Sequence, residues 1–284
     1  FTKYGKVMST PNDGGPLSGT AILTNTNNDW GGSTTIDAGI LQIGDGSTTN
    51  GSIPDRLVTM GNGTTFRFAN PNAATFNSTI SGGGNFEKIG AGLLTLAGNN
   101  TFTNGVTIGA GTLSIAADSA LGAAYDGSVS WIAVTNLGSG YTSSNSVTIG
   151  APPSGVTATG NYTSAYILSA NQTKNVNVLT GGSGYVSAPT VTFNGPGSGA
   201  TAQAYVKGLL TLDGGTLQTT ASLTSNRAVY LTSNGGAIDT NGAANTSTFS
   251  GILNGSGNFA KSGAGTLVLS GNNTYTGSTT ISAG

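Results

Sequence analysis

The chain has 284 residues, a formal net charge of −1 and only 7% charged residues, and it contains neither Cys nor His. No disulfide framework, thiol nucleophile, Ser-His-Asp triad or zinc site of the usual ligands can be built from it. The absence of any basic run argues against nucleic acid, which needs clustered Lys and Arg to displace counterions, and against a polybasic route to a membrane surface.

In chain order, the first mark is Phe1-x-Lys3-x-Gly5, followed by a Pro- and Gly-rich loop over residues 9–18. Residues 33–39 (STTIDAG) lead into the alternating run Ile40-Leu41-Gln42-Ile43. Residues 75–111 and 248–284 are two copies of one 37-residue stretch, offset by 173 without a gap and identical at 21 positions. Within and around them, Leu94-Thr95-Leu96, Val106-Thr107-Ile108, Leu113-Ser114-Ile115 and Leu267-Val268-Leu269 alternate with period two between Gly and Asn clusters, which predicts short strands and turns. The Ala-rich piece 116–124 carries Gly122 and reads as a loop. Residues 210–218 and 229–239 read as later turns of the same kind.

A second repeat interrupts the first. Gly138-Ser139-Gly140-Tyr141 recurs 44 residues on as Gly182-Ser183-Gly184-Tyr185, and the match extends through 147–149 and 154–158. This predicts an inserted module over residues 127–207, flanked by a main repeat at 1–126 and 208–284. With the insertion removed, the main unit is about 85–92 residues, or four coils of about 22. A fixed internal period of this kind predicts stacked coils, with Leu, Ile and Val inward and Thr and Ser outward. Asn27-Asn28, Asn99-Asn100 and Asn272-Asn273 occupy one equivalent turn, where Asn tolerates the left-handed region. Lys3, Lys88 and Lys261 share another position, and are expected as well-separated charges.

The pattern Gly-x-Gly-Asn-Phe-x-Lys-x-Gly-Ala-Gly-x-Leu-x-Leu-x-Gly-Asn-Asn-Thr-(Phe/Tyr)-Thr, closing on Thr-Ile-x-Ala-Gly, resembles the autotransporter-associated β-strand repeat. The resemblance covers roughly 1–126 and 208–284. It implies an all-β chain forming a right-handed parallel β-helix (β-solenoid), here interrupted by a small inserted β module. It also implies a place in large bacterial proteins that are secreted or held at the cell surface, with adhesive or scaffolding roles. The membrane β-barrel translocator expected of such proteins does not occur in these residues, and the export route stays open.

Parallel β-helices also include polysaccharide lyases and hydrolases, whose sites need convergent carboxylates. Asp37, Asp45 and Asp55 lie near Arg56 and Arg67, while Asp213 and Asp239 fall in separate Gly-rich turns, so turn capping is their default role. No catalytic residue, metal site or cofactor is expected. Trp30, Phe102 and Tyr275 share one repeat position. They are expected to pack over a turn, with an aromatic stripe for surface or glycan binding as the alternative. Tyr141 and Tyr185 pose the same choice in the module. The chain opens mid-motif and stops at Gly284 before the next expected strand, which raises head-to-tail stacking of uncapped ends into a homo-oligomer or filament. The overall expectation is a non-enzymatic extracellular structural protein of a fibre or adhesive scaffold. A glycan- or surface-binding adhesin passenger is the alternative, and a polysaccharide-active enzyme the remote one. Other cell surfaces are possible partners; nucleic acid and a direct membrane span are not expected.

Overall fold

A computed structural model describes residues 6–7, 19–141, 145–162 and 175–284. The Phe1, Lys3 and Gly5 marks and the whole 9–18 loop lie outside these residues. Among the described residues the chain is strand and turn, with one 3-10 turn at Asp118–Leu121 where a loop was expected. Ala120 and Leu121 of that turn are buried, at 3% and 1% exposure, so the Ala-rich piece is part of the core.

The expected solenoid is present. Parallel pairing builds sheets of eight, seven, four and three strands, one strand per coil. The eight-stranded sheet stacks Leu41, Phe66, Phe86, Val106, Leu210, Val229 and Leu253 in register, all at most 1% exposed. Each such side chain contributes roughly 1.5–3 kcal/mol by leaving water. Phe66 packs edge-on against Phe68, Phe76 and Phe86, with ring centroids 5.0 to 6.1 Å apart. The same period of two leaves one outward row on that sheet: Ile22, Gln42, Arg67, Glu87, Thr107, Thr211, Tyr230 and Asn254.

Two of the repeat-position lysines, Lys88 and Lys261, are buried rather than surface charges. Lys88 lies in an inward column between Phe68 and Ile108 and is 1% exposed. Its ammonium donates to the carbonyls of Gly90 and Ala110, the latter at 3.1 Å. Lys261 makes the equivalent bonds to Gly263 (2.7 Å) and Ala283 (2.8 Å). In both copies the acceptors are two and twenty-two residues on, so each lysine ties the corner of its own coil to the corner of the next.

The paired asparagines also act differently from the expectation. No described non-glycine residue has positive φ. Instead Asn100, 3% exposed, accepts from Ile80 N–H and donates to the Ala120 carbonyl, both at 2.7 Å, and so bridges the coils on either side. Asn273 accepts from Leu253 N–H at 2.9 Å, and Asn28 donates to the Ser52 carbonyl at 3.0 Å. The left-handed corners are left to glycine. Gly39 and Gly111, equivalent in the repeat, have φ of 71° and 62°, and a Cβ on either would meet a carbonyl oxygen of the preceding coil at 2.2 or 2.4 Å.

Between Val129 and Val206 the pairing changes to antiparallel. Six strands in the order Val191–Phe193, Asn145–Ile149, Thr159–Tyr162, Asn175–Thr180, Val129–Ser139 and Ser198–Val206 form one sheet. The Gly-Ser-Gly-Tyr motif is a duplicated turn: Gly138 and Gly182 have φ of 62° and 64°, and Gly140 and Gly184 have 78° and 81°. The two matched segments pair with each other, Thr148 opposite Thr192. The solenoid continues beneath without a break. Thr107 stacks on Thr211, 104 residues away, whereas neighbouring coils elsewhere in that row are 19 (Thr211 to Tyr230) to 25 (Gln42 to Arg67) residues apart.

Candidate functional site

The sequence-derived aromatic residues divide into core and packing groups. Phe102 is fully buried and stacks on Phe86 with centroids 6.0 Å apart, and Tyr275 sits on the equivalent Phe259 at the same 6.0 Å. Trp30 packs partly buried against the same core, and its Nε1 donates to Thr34 Oγ1 at 3.2 Å. Tyr275 Oη and Thr279 Oγ1 share a 2.6 Å hydrogen bond at the same spacing of four. Where the aromatic is Phe102, the fourth residue on is the apolar Val106. Tyr185 is 1% exposed; its hydroxyl accepts from Ala158 N–H at 2.8 Å and donates to the Gly150 carbonyl at 3.0 Å. Tyr141 is half-buried, edge-on to Tyr162 and Phe193. A solvent-facing stripe through Phe102, and a solvent-facing Tyr185, are therefore corrected: Phe102 is buried in the core, and Tyr185 is buried with its hydroxyl bonded on both sides.

The structure instead presents a groove where the antiparallel module meets the outward row of the eight-stranded sheet. Its floor is Glu87, Thr107, Thr211 and Tyr230, one residue from each of four successive coils. At ~4.7–4.9 Å per coil the floor runs about 14 Å. Its wall is the edge strand Ser198–Val206, chiefly Gln203 and Tyr205. Two adjoining cavities of about 340 and 520 Å³ share Thr107, Gln203 and Thr211. Sequence inspection missed this groove because its residues come from strands over 100 positions apart. Only the register of a complete stack brings them together.

The contact is fixed by a hydrogen bond at one end and by packing at the other. Asn254 Nδ2 donates to the Val186 carbonyl at 2.9 Å, fixing the module to the row beyond Tyr230. At the other end Trp131 lies over the turn at Gly63, where a Cβ would stand 2.8 Å from the indole Nε1. The module's core, including Val129, Ile132 and Tyr185, runs on into Leu209 and Ala228 of the solenoid. The Glu87 carboxylate accepts from Arg67 Nε at 2.6 Å, and Arg67 also reaches Gln42. Burial pushes the Tyr205 phenol above its ordinary range; a hydrogen bond with Asn85 offsets part of this, and the Glu87 charge adds to it.

The neck of the module is closed by Arg227, 1% exposed. Its guanidinium donates to Asp118 Oδ1 (3.0 Å) and to the carbonyls of Asp118, Gly122, Ala123 and Gly208. All five N–H donors are thus directed at acceptors on the segments entering and leaving the module. Lys207 and Asp126 add a 2.7 Å ion pair at the surface of the neck.

Asp45, Asp55 and Asp213 serve turns, whereas Asp239, expected in a turn, lies in the strand Gly236–Thr240 and pairs across the ladder. Asp45 accepts the backbone N–H groups of Ser47, Thr48 and Thr49, and these, Thr49 foremost, hold it well below the usual carboxylate range. At Asp55 burial acts upward, but hydrogen bonds from Asn77 and Ser78 outweigh it and lower the pKa. Asp213 accepts from Thr232 and Asn234, and Asp239 from Gln218. Among the described residues no group of three or more Asp or Glu is placed to hold a metal ion, and no helix is long and apolar enough to cross a membrane.

Comparison with known proteins places the solenoid motif. Residues 18–43, 86–115 and 259–284 each match the passenger-associated-transport-repeat. This bears out the resemblance drawn from the Phe-x-Lys-x-Gly and Asn-Asn-Thr motif. The chain is 28% identical over 254 residues to the Adhesin BmaC autotransporter of Brucella suis biovar 1 (strain 1330). That alignment covers 87% of this chain and 5% of the relative, so the chain spans a small part of the protein it matches. No solved structure matches the chain.

Proposed function

We propose that this chain, which carries three passenger-associated-transport-repeats, is a non-catalytic segment of a bacterial surface passenger in which the solenoid is a support and the antiparallel module is the recognition element. The observation that carries this reading is the unbroken stacking of Thr107 on Thr211 beneath the module. A stack that accepts a docked module without losing register can hold it away from the cell while remaining a continuous rod. The adhesin relative supports surface display. The engagement of Asp45, Asp55, Glu87, Asp118, Asp126, Asp213 and Asp239 in turn caps, ladders or ion pairs supports a binding role over hydrolysis or elimination, which need carboxylates directed at one substrate atom.

The reading is tested on bacteria producing the full-length protein that contains this chain. Antibodies raised against residues 127–207 should label intact cells, and external protease should remove the label without lysis. Labelling only after permeabilisation would overturn surface display.

A further inference from the structure

The module is built from two similar halves, yet its two halves are not equally closed. In the first half, strand Asn145–Ile149 pairs with strand Thr159–Tyr162 through Asn145 opposite Tyr162 and Ser146 opposite Asn161. Adding the repeat offset of 44 gives the corresponding positions in the second half: Pro189 opposite Val206 and Thr190 opposite Tyr205. No pairing occurs there, and strand Ser198–Val206 is left as an edge. Proline explains the difference, since it has no N–H to give to a ladder. Pro189, Thr190, Gln203 and Tyr205 instead line the groove over the solenoid wall. One departure from internal symmetry therefore opens the sheet at the one place where it faces Thr107, Thr211 and Tyr230.

We propose that this groove is a binding site for a short, uncharged oligosaccharide. The inference rests on the surface-passenger reading and deepens it by naming the ligand class. The floor and wall offer hydroxyls from Thr107 and Thr211, an amide from exposed Gln203 and phenolic rings from Tyr205 and Tyr230. Sugars present the matching chemistry, with rims of hydroxyls that both donate and accept and C–H faces that lie on aromatic rings. Among the described residues lining the groove, the single carboxylate, Glu87, is already neutralised by Arg67 and none is Lys or Arg, so nothing there favours an anion.

The test is an array of uncharged linear oligosaccharides, with tetragalacturonate and a short Ser/Thr-rich peptide alongside, probed with the full labelled chain. At least one uncharged oligosaccharide is expected to bind, in the millimolar range or tighter, with tetragalacturonate and the peptide weaker. Thr211→Val and Gln203→Ala, both outward and outside the core, should each weaken binding about tenfold. Pro189→Asn, which restores the residue type of the closed half, should weaken it with the melting temperature unchanged or raised. Binding of no uncharged sugar, binding unaltered by these variants, or preference for the uronate or the peptide would each overturn the assignment. Antibody labelling of intact cells is independent of these outcomes, so failure of the groove is distinguishable from failure of surface display.

Discussion

Arg227 Nε donates to Asp118 Oδ1 at 3.0 Å across 109 residues of sequence, joining the last turn before the module to a coil laid down after it. Because the guanidinium also holds the carbonyls of Gly122, Ala123 and Gly208, it ties the entering and leaving chains into the solenoid. Removing it leaves four carbonyls and a carboxylate without their donor. Arg227→Ala should therefore cost about 3–5 kcal/mol of stability, measured by denaturant unfolding. Hydrogen exchange should rise first at residues 118–127 and 207–209. Asp118→Asn keeps an acceptor for the guanidinium but removes its counter-charge, and should cost less, about 1–3 kcal/mol.

Lys88 gives a pH signature of unusual sign. Burial lowers its ammonium from the ordinary 10.5 to about 8. Between about 8 and 10.5 the unfolded chain therefore holds a proton that the folded chain has released. The folded state binds fewer protons, so this group's contribution to stability increases with pH across that window, opposite to an ion-paired lysine. Lys88→Met should abolish that slope. It should also cost about 1–3 kcal/mol by leaving the Gly90 and Ala110 carbonyls unpaired. Unfolding free energies at a series of pH values for the two proteins check both statements.

The aromatic position couples to the residue four places on. Phe102→Tyr alone buries a hydroxyl beside Val106 and should cost about 1–3 kcal/mol. Combining it with Val106→Thr recreates the Tyr275–Thr279 pair and should recover most of that loss. A double-mutant cycle reads the coupling directly; additive costs would show that the two positions are independent.

Asn100 should behave as a staple between coils. Asn100→Ala leaves Ile80 N–H and the Ala120 carbonyl unpaired in the core and should cost about 1–3 kcal/mol. The exposed neighbour Asn99 is a control, expected to stay within about 0.5 kcal/mol on mutation to Ala.

The solenoid was legible because its signal is repeated. Period-two alternation at Leu94–Leu96 and Val106–Ile108, and a motif recurring 173 residues on, require only local inspection. The recurring Gly-Ser-Gly-Tyr turn marks the two segments whose strands pair antiparallel. What sequence left out depends on the third dimension. Lys88 looks like any surface lysine until register puts it between Phe68 and Ile108. Asn100 looks like a turn residue, yet its side chain replaces backbone bonds between coils. The groove was hidden because Glu87, Thr211 and Gln203 meet only after the module has folded back on the wall. Pro189 becomes informative once its counterpart Asn145 is known to pair.

The central claim, that the module is a recognition element carried on an uninterrupted stack, is tested most directly by deleting residues 127–207 and joining the ends with a short Gly-Ser linker. Attachment of cells producing the full-length protein is then compared with and without the module, at equal surface labelling by an antibody against the solenoid. The account predicts that labelling persists and attachment is lost. Attachment that survives the deletion at equal labelling would contradict it.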